Sequence, residues 1–306
     1  SLAIAIAGTN ISCSGAGDGT ATVIASNGTG PYTYAWSTGG STSSLTGLGS
    51  GFAAVTVTDN CGSSLSDSVN IIDPLGMVIS AEVVINITCF GASDGTITIT
   101  ASGGTNPLSY SIDGGSSFTN TTGVFTWLGA NTYTVVVQDS NFCQTFGTVL
   151  VVNEPPALSI DSETAVDVFG CADNLNGMIT VTASGGNGPI SYSIDTINYQ
   201  TGGIFNGLAA GTYIVSIQDS AGCKLIGSTI IINEPTMVVI DSETLVDISC
   251  DGANDGKITI VASGGTGSYF YSIDGGIWQG SGTFTGLSAG IYLVDVMDAN
   301  GCSTTD

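Results

Sequence analysis

The residues of this chain whose spacing most plainly implies chemistry are its eight cysteines, and the chemistry is disulfide formation. Cys13, Cys89, Cys171 and Cys250 are separated by 76, 82 and 79 residues, and Cys61, Cys143, Cys223 and Cys302 by 82, 80 and 79. Regular cysteine pairs predict an oxidising, extracellular setting. The second group with chemical potential is the carboxylates. Asp plus Glu number 25 against 2 Lys plus Arg, the formal charge is −23, and there is no His. Such a chain cannot neutralise phosphates, so nucleic acid is excluded as a partner, and attraction to anionic lipid with it. A serine nucleophile would have only Lys224 or Lys257 as base, and neither recurs along the chain. Two lysines are also too few for an isopeptide cross-link in every repeat. Paired carboxylates could cleave glycosides, but four similar small domains predict no deep cleft. The chain reads as non-enzymatic.

The cysteine spacing is one part of a unit of about 80 residues used four times. The expected domains are 1–74, 75–155, 156–235 and 236–306. Repeat 3 is the clearest. Leu158, Ile160, Val166 and Val168 share one parity and predict a long first strand, broken midway, that leads to Cys171. Met178 to Ala183 alternates as a second strand, Ser191 to Asp195 as a third, and a short fourth passes through Tyr199. Gly203 to Leu208 is a fifth. Tyr213, Val215 and Ile217 face inward on a sixth, and a seventh runs from Cys223 to Ile232. No segment has helical periodicity. The expected fold is all-β: four tandem immunoglobulin/fibronectin-III-like seven-stranded β-sandwiches in an extended rod. Leu208, Gly211 and Tyr213 predict a turn capped by the tyrosine hydroxyl. In repeat 1 Ala53 takes that tyrosine's place, with Phe52 expected to fill the gap. Asp73-Pro74, Glu154-Pro155 and Glu234-Pro235 mark short, stiff joints.

Mean hydropathy is +0.39, yet no apolar run approaches the ~18 residues of a membrane helix. The first residues, S-L-A-I-A-I-A-G, lack the basic flank of a signal peptide. Repeat 4 stops within its expected last strand, so the chain reads as part of a longer array.

Gly28-Thr29-Gly30-Pro31-Tyr32-Thr33-Tyr34-Ala35-Trp36 resembles the core of SprB-type repeats. Gly211-Thr212-Tyr213 through Asp219 to Gly222-Cys223, and the Cys-x-Gly-x-x-Asp-Gly runs at Cys13 and Cys250, are similar to other parts of that repeat. Repeats 2 to 4 carry Tyr-Ser-Ile-Asp in place of the tryptophan segment. The resemblance implies a surface protein of the kind found in Bacteroidetes gliding-motility adhesins and filaments, exported by the type IX route. Asp67-Ser68-Val69, Asp195-Thr196-Ile197 and Asp219-Ser220-Ala221 also resemble the O-glycosylation pattern of those bacteria, with Ser68, Thr196 and Ser220 as acceptors; chance in a Ser/Thr-rich chain is the alternative.

Three cysteine states are open: one bridge within each repeat, bridges between neighbouring repeats, or free thiols. Counting strands puts each repeat's first cysteine at the end where the chain leaves and its second at the opposite end. An eight-residue strand spans roughly 26 Å, and a bridge needs Cα atoms within about 7 Å. Bridges between neighbours are therefore expected: Cys13–Cys143, Cys89–Cys223 and Cys171–Cys302, with Cys61 and Cys250 pairing outside the segment. The same count gathers Asp94, Asp113, Glu154 and Asp219 at one joint, and Asp173, Asp195, Glu234 and Asp298 at the next. A first joint with Asp18, Asp73 and Asp139 is weaker. Oxygen ligands without basic partners suit Ca²⁺, which takes about 6–8 oxygens; the competing reading is that Asp simply makes good turns. The Asp161–Thr164 and Asp241–Thr244 runs read as solvated strand edges. Trp36, Trp127 and Trp278 occupy different places in their repeats, which suits core or rim rather than a shared sugar platform.

The expected function is a structural stalk segment of a cell-surface adhesin whose partners are neighbouring repeats. A self-assembling filament or sheath and a glycan-binding module are the alternatives. No cofactor is required, Ca²⁺ apart.

Overall fold

A computed structural model describes residues 1–306. The chain divides into two compact units, Ser1–Glu154 and Pro155–Asp306. All regular elements are strands. Repeat 1 holds β1 (Ala3–Thr9), β2 (Gly19–Ser26), β3 (Thr33–Trp36), β4 (Ser44–Leu48), β5 (Gly51–Thr58) and β6 (Ser64–Ile71). Repeat 2 holds β7 (Val78–Ile85), β8 (Gly95–Ser102), β9 (Ser109–Ser111), β10 (Val124–Leu128), β11 (Asn131–Gln138) and β12 (Gln144–Val152). Repeat 3 holds β13 (Ser159–Val166), β14 (Gly177–Ser184), β15 (Ser191–Ser193), β16 (Ile204–Leu208), β17 (Gly211–Gln218) and β18 (Lys224–Ile232). Repeat 4 holds β19 (Val239–Val246), β20 (Gly256–Ser263), β21 (Phe270–Ile273), β22 (Thr283–Leu287), β23 (Val294–Met297) and β24 (Ser303–Thr305).

Each repeat is two antiparallel three-stranded sheets. In repeat 3 the orders are β13-β14-β16 and β15-β17-β18, and the other repeats match. First, second and fifth segments against third, sixth and seventh is the strand order of an immunoglobulin-like sandwich. Alternation drives it. On β14, Ile179 and Val181 point inward and are buried, while Met178 and Thr180, which alternate with them, are only half-buried. On β17, Val215 and Ile217 meet them, and Ile232 of β18 closes the core. Burying a side chain of this kind is worth about 1.5–3 kcal/mol. Each repeat has its own such cluster. Tyr133, Tyr213 and Tyr292 donate their hydroxyls to the carbonyls of Gly129, Ala209 and Ser288 at 3.0, 3.0 and 2.8 Å.

The structure differs from expectation in three places. The short fourth strand through Tyr199 is only a bridge between Tyr192 and Gln200. The N–H groups of Ile197 and Asn198 go to the Asp195 carboxylate instead, which holds this stretch as a turn. Val166 does not share the inward parity, being 43% exposed. The register of β13 shifts between Ile160 and Ser162, and one extra residue sends those beyond it to the other face. Phe52 does not fill the space at Ala53. It is 71% exposed, because it neighbours Ala53 on β5 and points the opposite way.

Candidate functional site

The first cysteine of a repeat sits in the turn after its first strand. The carbonyls of Cys13, Cys89 and Cys250 accept the N–H of Ala16, Ala92 and Ala253 at 2.9, 3.0 and 3.0 Å. An Asp five residues on secures the same turn from the other side. Asp18, Asp94 and Asp255 accept the N–H of Ser12, Thr88 and Ser249. Asp18 and Asp94 also accept those residues' hydroxyls. These hydroxyls, with the N–H groups, hold all three carboxyls below the ordinary carboxylate value. Repeat 3 has Asn176 in this place, which accepts the N–H of Phe169 at 3.0 Å.

The second cysteine sits in the turn between the last two strands, organised by one buried Asp. Asp139 accepts the N–H of Thr105, Asn141 and Cys143, each at 2.9 Å. Asp219 accepts those of Asn187, Ala221 and Cys223 at 2.7, 3.0 and 2.9 Å. Asp298 repeats the arrangement with Thr266, Asn300 and Cys302 at 2.7, 2.9 and 2.9 Å. Burial pushes the Asp298 carboxyl up, but the N–H groups of Cys302, Thr266, Asn300 and Gly301 outweigh it and leave it lowered.

Within the first unit the structure joins Cys13 of repeat 1 to Cys143 of repeat 2, Cα atoms 5.7 Å apart. Within the second it joins Cys171 of repeat 3 to Cys302 of repeat 4, Cα atoms 5.3 Å apart. Cys89 and Cys223 are likewise disulfide-bonded. Beside the first bridge, the Asn141 side-chain amide donates to the Ser12 carbonyl at 2.9 Å. A cleft of about 550 Å³ adjoins the bridge in the second unit, lined by Cys171, Thr236, Met237, Val239, Cys302 and Thr304. A smaller one of about 210 Å³ adjoins the bridge in the first unit.

Cys61 and Cys250 are free and exposed, and they are not equivalent. Cys250 occupies the same turn position as Cys13 and Cys89. Cys61 does not occupy the position of Cys143. Its N–H and that of Ser63 go to Asp59 at 3.0 and 2.9 Å, as those of Asn141 and Cys143 go to Asp139. Ser63 therefore stands where the bonded cysteines stand, and Cys61 comes two residues early. The spacing from the preceding Asp, two residues in repeat 1 against four elsewhere, is legible in the sequence.

No group of three or more acidic or cysteine side chains converges as a metal site. Each carboxylate is engaged locally. Asp94 and Asp219 hold the turns described above. Asp113 accepts the Ser111 hydroxyl at 2.5 Å and the N–H of Ser116 and Ser117. Glu154 accepts the N–H of Gly91 at 3.0 Å. In the second unit Glu234 accepts the N–H of Asp173 at 2.8 Å. Asp195 accepts the Asn198 side-chain amide at 2.6 Å and lies well below the ordinary range, chiefly through that contact. Asp113, Asp195 and Asp219 each accept turn N–H groups, as aspartate commonly does in turns.

The expected glycan acceptors sit differently from one another. Ser68 is exposed on β6. Thr196 is half-buried with φ 65°. The Ser220 hydroxyl donates to the Asn187 carbonyl at 2.6 Å. Lys224 lies 4.8 Å from the centre of the Tyr199 ring. Trp36 is buried in the core of repeat 1, whereas Trp127 is 80% exposed.

Glu82 of β7 accepts the N–H of Thr148 at 2.9 Å and its hydroxyl at 2.6 Å, tying the first strand of repeat 2 to the last. Glu163 likewise accepts the N–H of Ser228 in repeat 3 at 3.0 Å. The Asp161–Thr164 run is therefore not merely a solvated edge, and Asp161 itself accepts the Ser184 hydroxyl.

The SprB repeat family matches the chain at residues 6–41, 81–117, 162–198 and 242–276. No curated protein sequence is significantly similar to the chain. Among solved structures, the chain is similar to invasin, a bacterial integrin-binding protein, at 13% identity and a TM-score of 0.32, over 100% of this chain and 78% of that one. It is similar to the C-terminal 282-residue fragment of intimin, solved with the intimin-binding domain of the translocated intimin receptor, at 17% identity and a TM-score of 0.30, over 54% and 67%. It is also similar to the N-terminal eight Ig domains of Down syndrome cell adhesion molecule, at 14% identity and a TM-score of 0.28, over 100% and 54%.

Proposed function

Since this chain is a SprB-type repeat region, we propose that it serves as a structural stalk segment of an extracellular surface adhesin. The observation that carries this reading is the bridging pattern. Cys13–Cys143 and Cys171–Cys302 each staple one repeat to the next. A covalent staple across a joint does nothing for catalysis but resists the parting of domains. Disulfides of this kind also need an oxidising compartment. Gliding or attachment at the cell surface, with export by the type IX route, is the finer form of the proposal.

One observation favours a self-assembling filament instead. Phe146 and Val149 on β12, and Ile226 and Ile231 on β18, are exposed on strands at sheet edges, where a lone tether would carry charge or proline. One also favours glycan binding: Trp127 is presented to solvent in repeat 2 at a position where the other repeats have glycine. Electron microscopy of the native surface material separates the first two readings. Isolated thin threads are expected for a stalk, and a wide ordered polymer would overturn it. Binding of the chain to immobilised neutral glycans, lost in Trp127→Gly, would favour the third.

A further inference from the structure

We infer that the two bridges make this chain an extension limiter, in which most of the polypeptide is kept out of the path that carries tension. The inference follows from covalent connectivity, so it goes beyond the stalk reading and holds whatever the repeats display. Tension applied at the two chain ends travels along the shortest covalent route. From the first residue that route runs to Cys13 and crosses to Cys143, a jump of 130 residues in sequence. It continues along the chain to Cys171, crosses to Cys302 over a further 131, and reaches Asp306. Only residues 1–13, 143–171 and 302–306 lie on it, 47 of the 306. The elements under load are β1, β12, β13 and β24. Strands β2 to β11 and β14 to β23 lie in the closed loops 14–142 and 172–301, and pulling the ends cannot draw them out while the sulfurs stay joined.

The consequence is large. A fully extended chain spans roughly 3.5 Å per residue. The unbridged protein could stretch to about 1,000 Å, whereas the bridged route reaches only about 160 Å. The cores of all four repeats draw most of their buried residues from the shielded loops, including Val23, Val57, Ile97, Val137, Ile179, Ile217, Ile258 and Val296. A repeat under load can lose an outer strand, but the rest of its sandwich stays in a closed loop and is free to take that strand back.

The loaded outer strands are held firmly. β12 is antiparallel to β11 from Gln144 to Val152 and is tied to Glu82 through Thr148. β13 is antiparallel to β14 from Ser159 to Val166 and is tied through Glu163 to Ser228. The carboxylate ties therefore sit on the two strands that join the bridges in the middle of the route.

Single-molecule stretching tests this. The protein would carry Cys61→Ser and Cys250→Ser, to remove the two free thiols, and would be held through tags at its ends. The oxidised chain is expected to gain no more than about 160 Å in total. The same molecules, given a phosphine reductant while under tension, are expected to lengthen roughly sixfold further, in steps of about 280 Å for each repeat of about 80 residues. Because reduction follows folding, the comparison does not depend on a cysteine-free variant that folds. Peptide mapping of the unreduced protein identifies the bridges in the molecules pulled. Steps near 280 Å from oxidised protein with Cys13–Cys143 and Cys171–Cys302 confirmed would overturn the inference, and so would a map that pairs these cysteines within single repeats.

Discussion

Two aromatic residues of repeat 2 stand where the fold asks for glycine. At the end of the fifth strand segment Gly47, Gly207 and Gly286 have φ of 74°, 71° and 79°, and Trp127 takes the same conformation at 61°. In the turn that carries the second cysteine Gly62, Gly222 and Gly301 have φ of 85°, 90° and 86°, and Phe142 adopts 65°. A side chain in this left-handed region costs roughly 1–2 kcal/mol, partly offset by the greater freedom glycine gives the unfolded chain. Trp127 is 80% and Phe142 79% exposed, so little burial compensates either one. Trp127→Gly and Phe142→Gly are each expected to stabilise the protein by about 0.5–1 kcal/mol, read as a higher denaturant midpoint with an unchanged slope. A lower midpoint in either variant would show that the aromatic ring makes a contact worth more than the backbone strain.

The first and last strands of a repeat show what sequence patterning can and cannot reveal. In repeats 2 and 3 both strands break register, near Ile79 and Thr134 and near Ile160 and Ile214. The two breaks are matched by a glutamate. A Cβ on Gly147 would lie 2.0 Å from a Glu82 carboxylate oxygen, and one on Gly227 would lie 2.2 Å from Glu163. Repeat 1 has Asp67 at the corresponding position, four residues after Ser63, and no glutamate on β1; both of its strands run in unbroken register. Gly147→Ala and Gly227→Ala are therefore expected to cost about 1–3 kcal/mol each, as overpacking does, in thermal or urea unfolding. A cost below about 0.5 kcal/mol would mean that the glutamate simply swings aside. The strand order, the inward faces and the cysteine ends were legible, because alternation and turn residues are local signals. The bulges were not, since a bulge is defined by its partner strand, and glutamate and glycine lie some 65 residues apart in each pair. Composition also does not show which carboxylate oxygens turn N–H groups have engaged, as at Asp113 and Asp195.

At the scale of the molecule two electrostatic effects oppose each other as pH falls. The charge of −23 repels itself in the compact state, and protonating ordinary carboxylates relieves that repulsion. Against it stand Asp18, Asp59, Asp94, Asp113, Asp195, Asp255 and Asp298, all held below the ordinary value of 3.8 by hydrogen bonds made only in the folded state. A depressed folded value means that the unfolded chain binds protons first. The stability these groups contribute is complete above the unfolded value and is lost as pH drops through the folded ones. With no His, no side chain has an ordinary value between about 5 and 8. At low ionic strength the melting temperature is thus expected to rise gently from pH 7 to a maximum near pH 4–4.5, then to fall steeply toward pH 2. In 0.5 M NaCl, where the screening length is only about 4 Å, the rise should vanish and the acid fall should remain. Scanning calorimetry across this range at both salt concentrations separates the two effects. A melting temperature that keeps climbing to pH 2 would mean that self-repulsion, and not the aspartate-held turns, governs the response of this protein to acid.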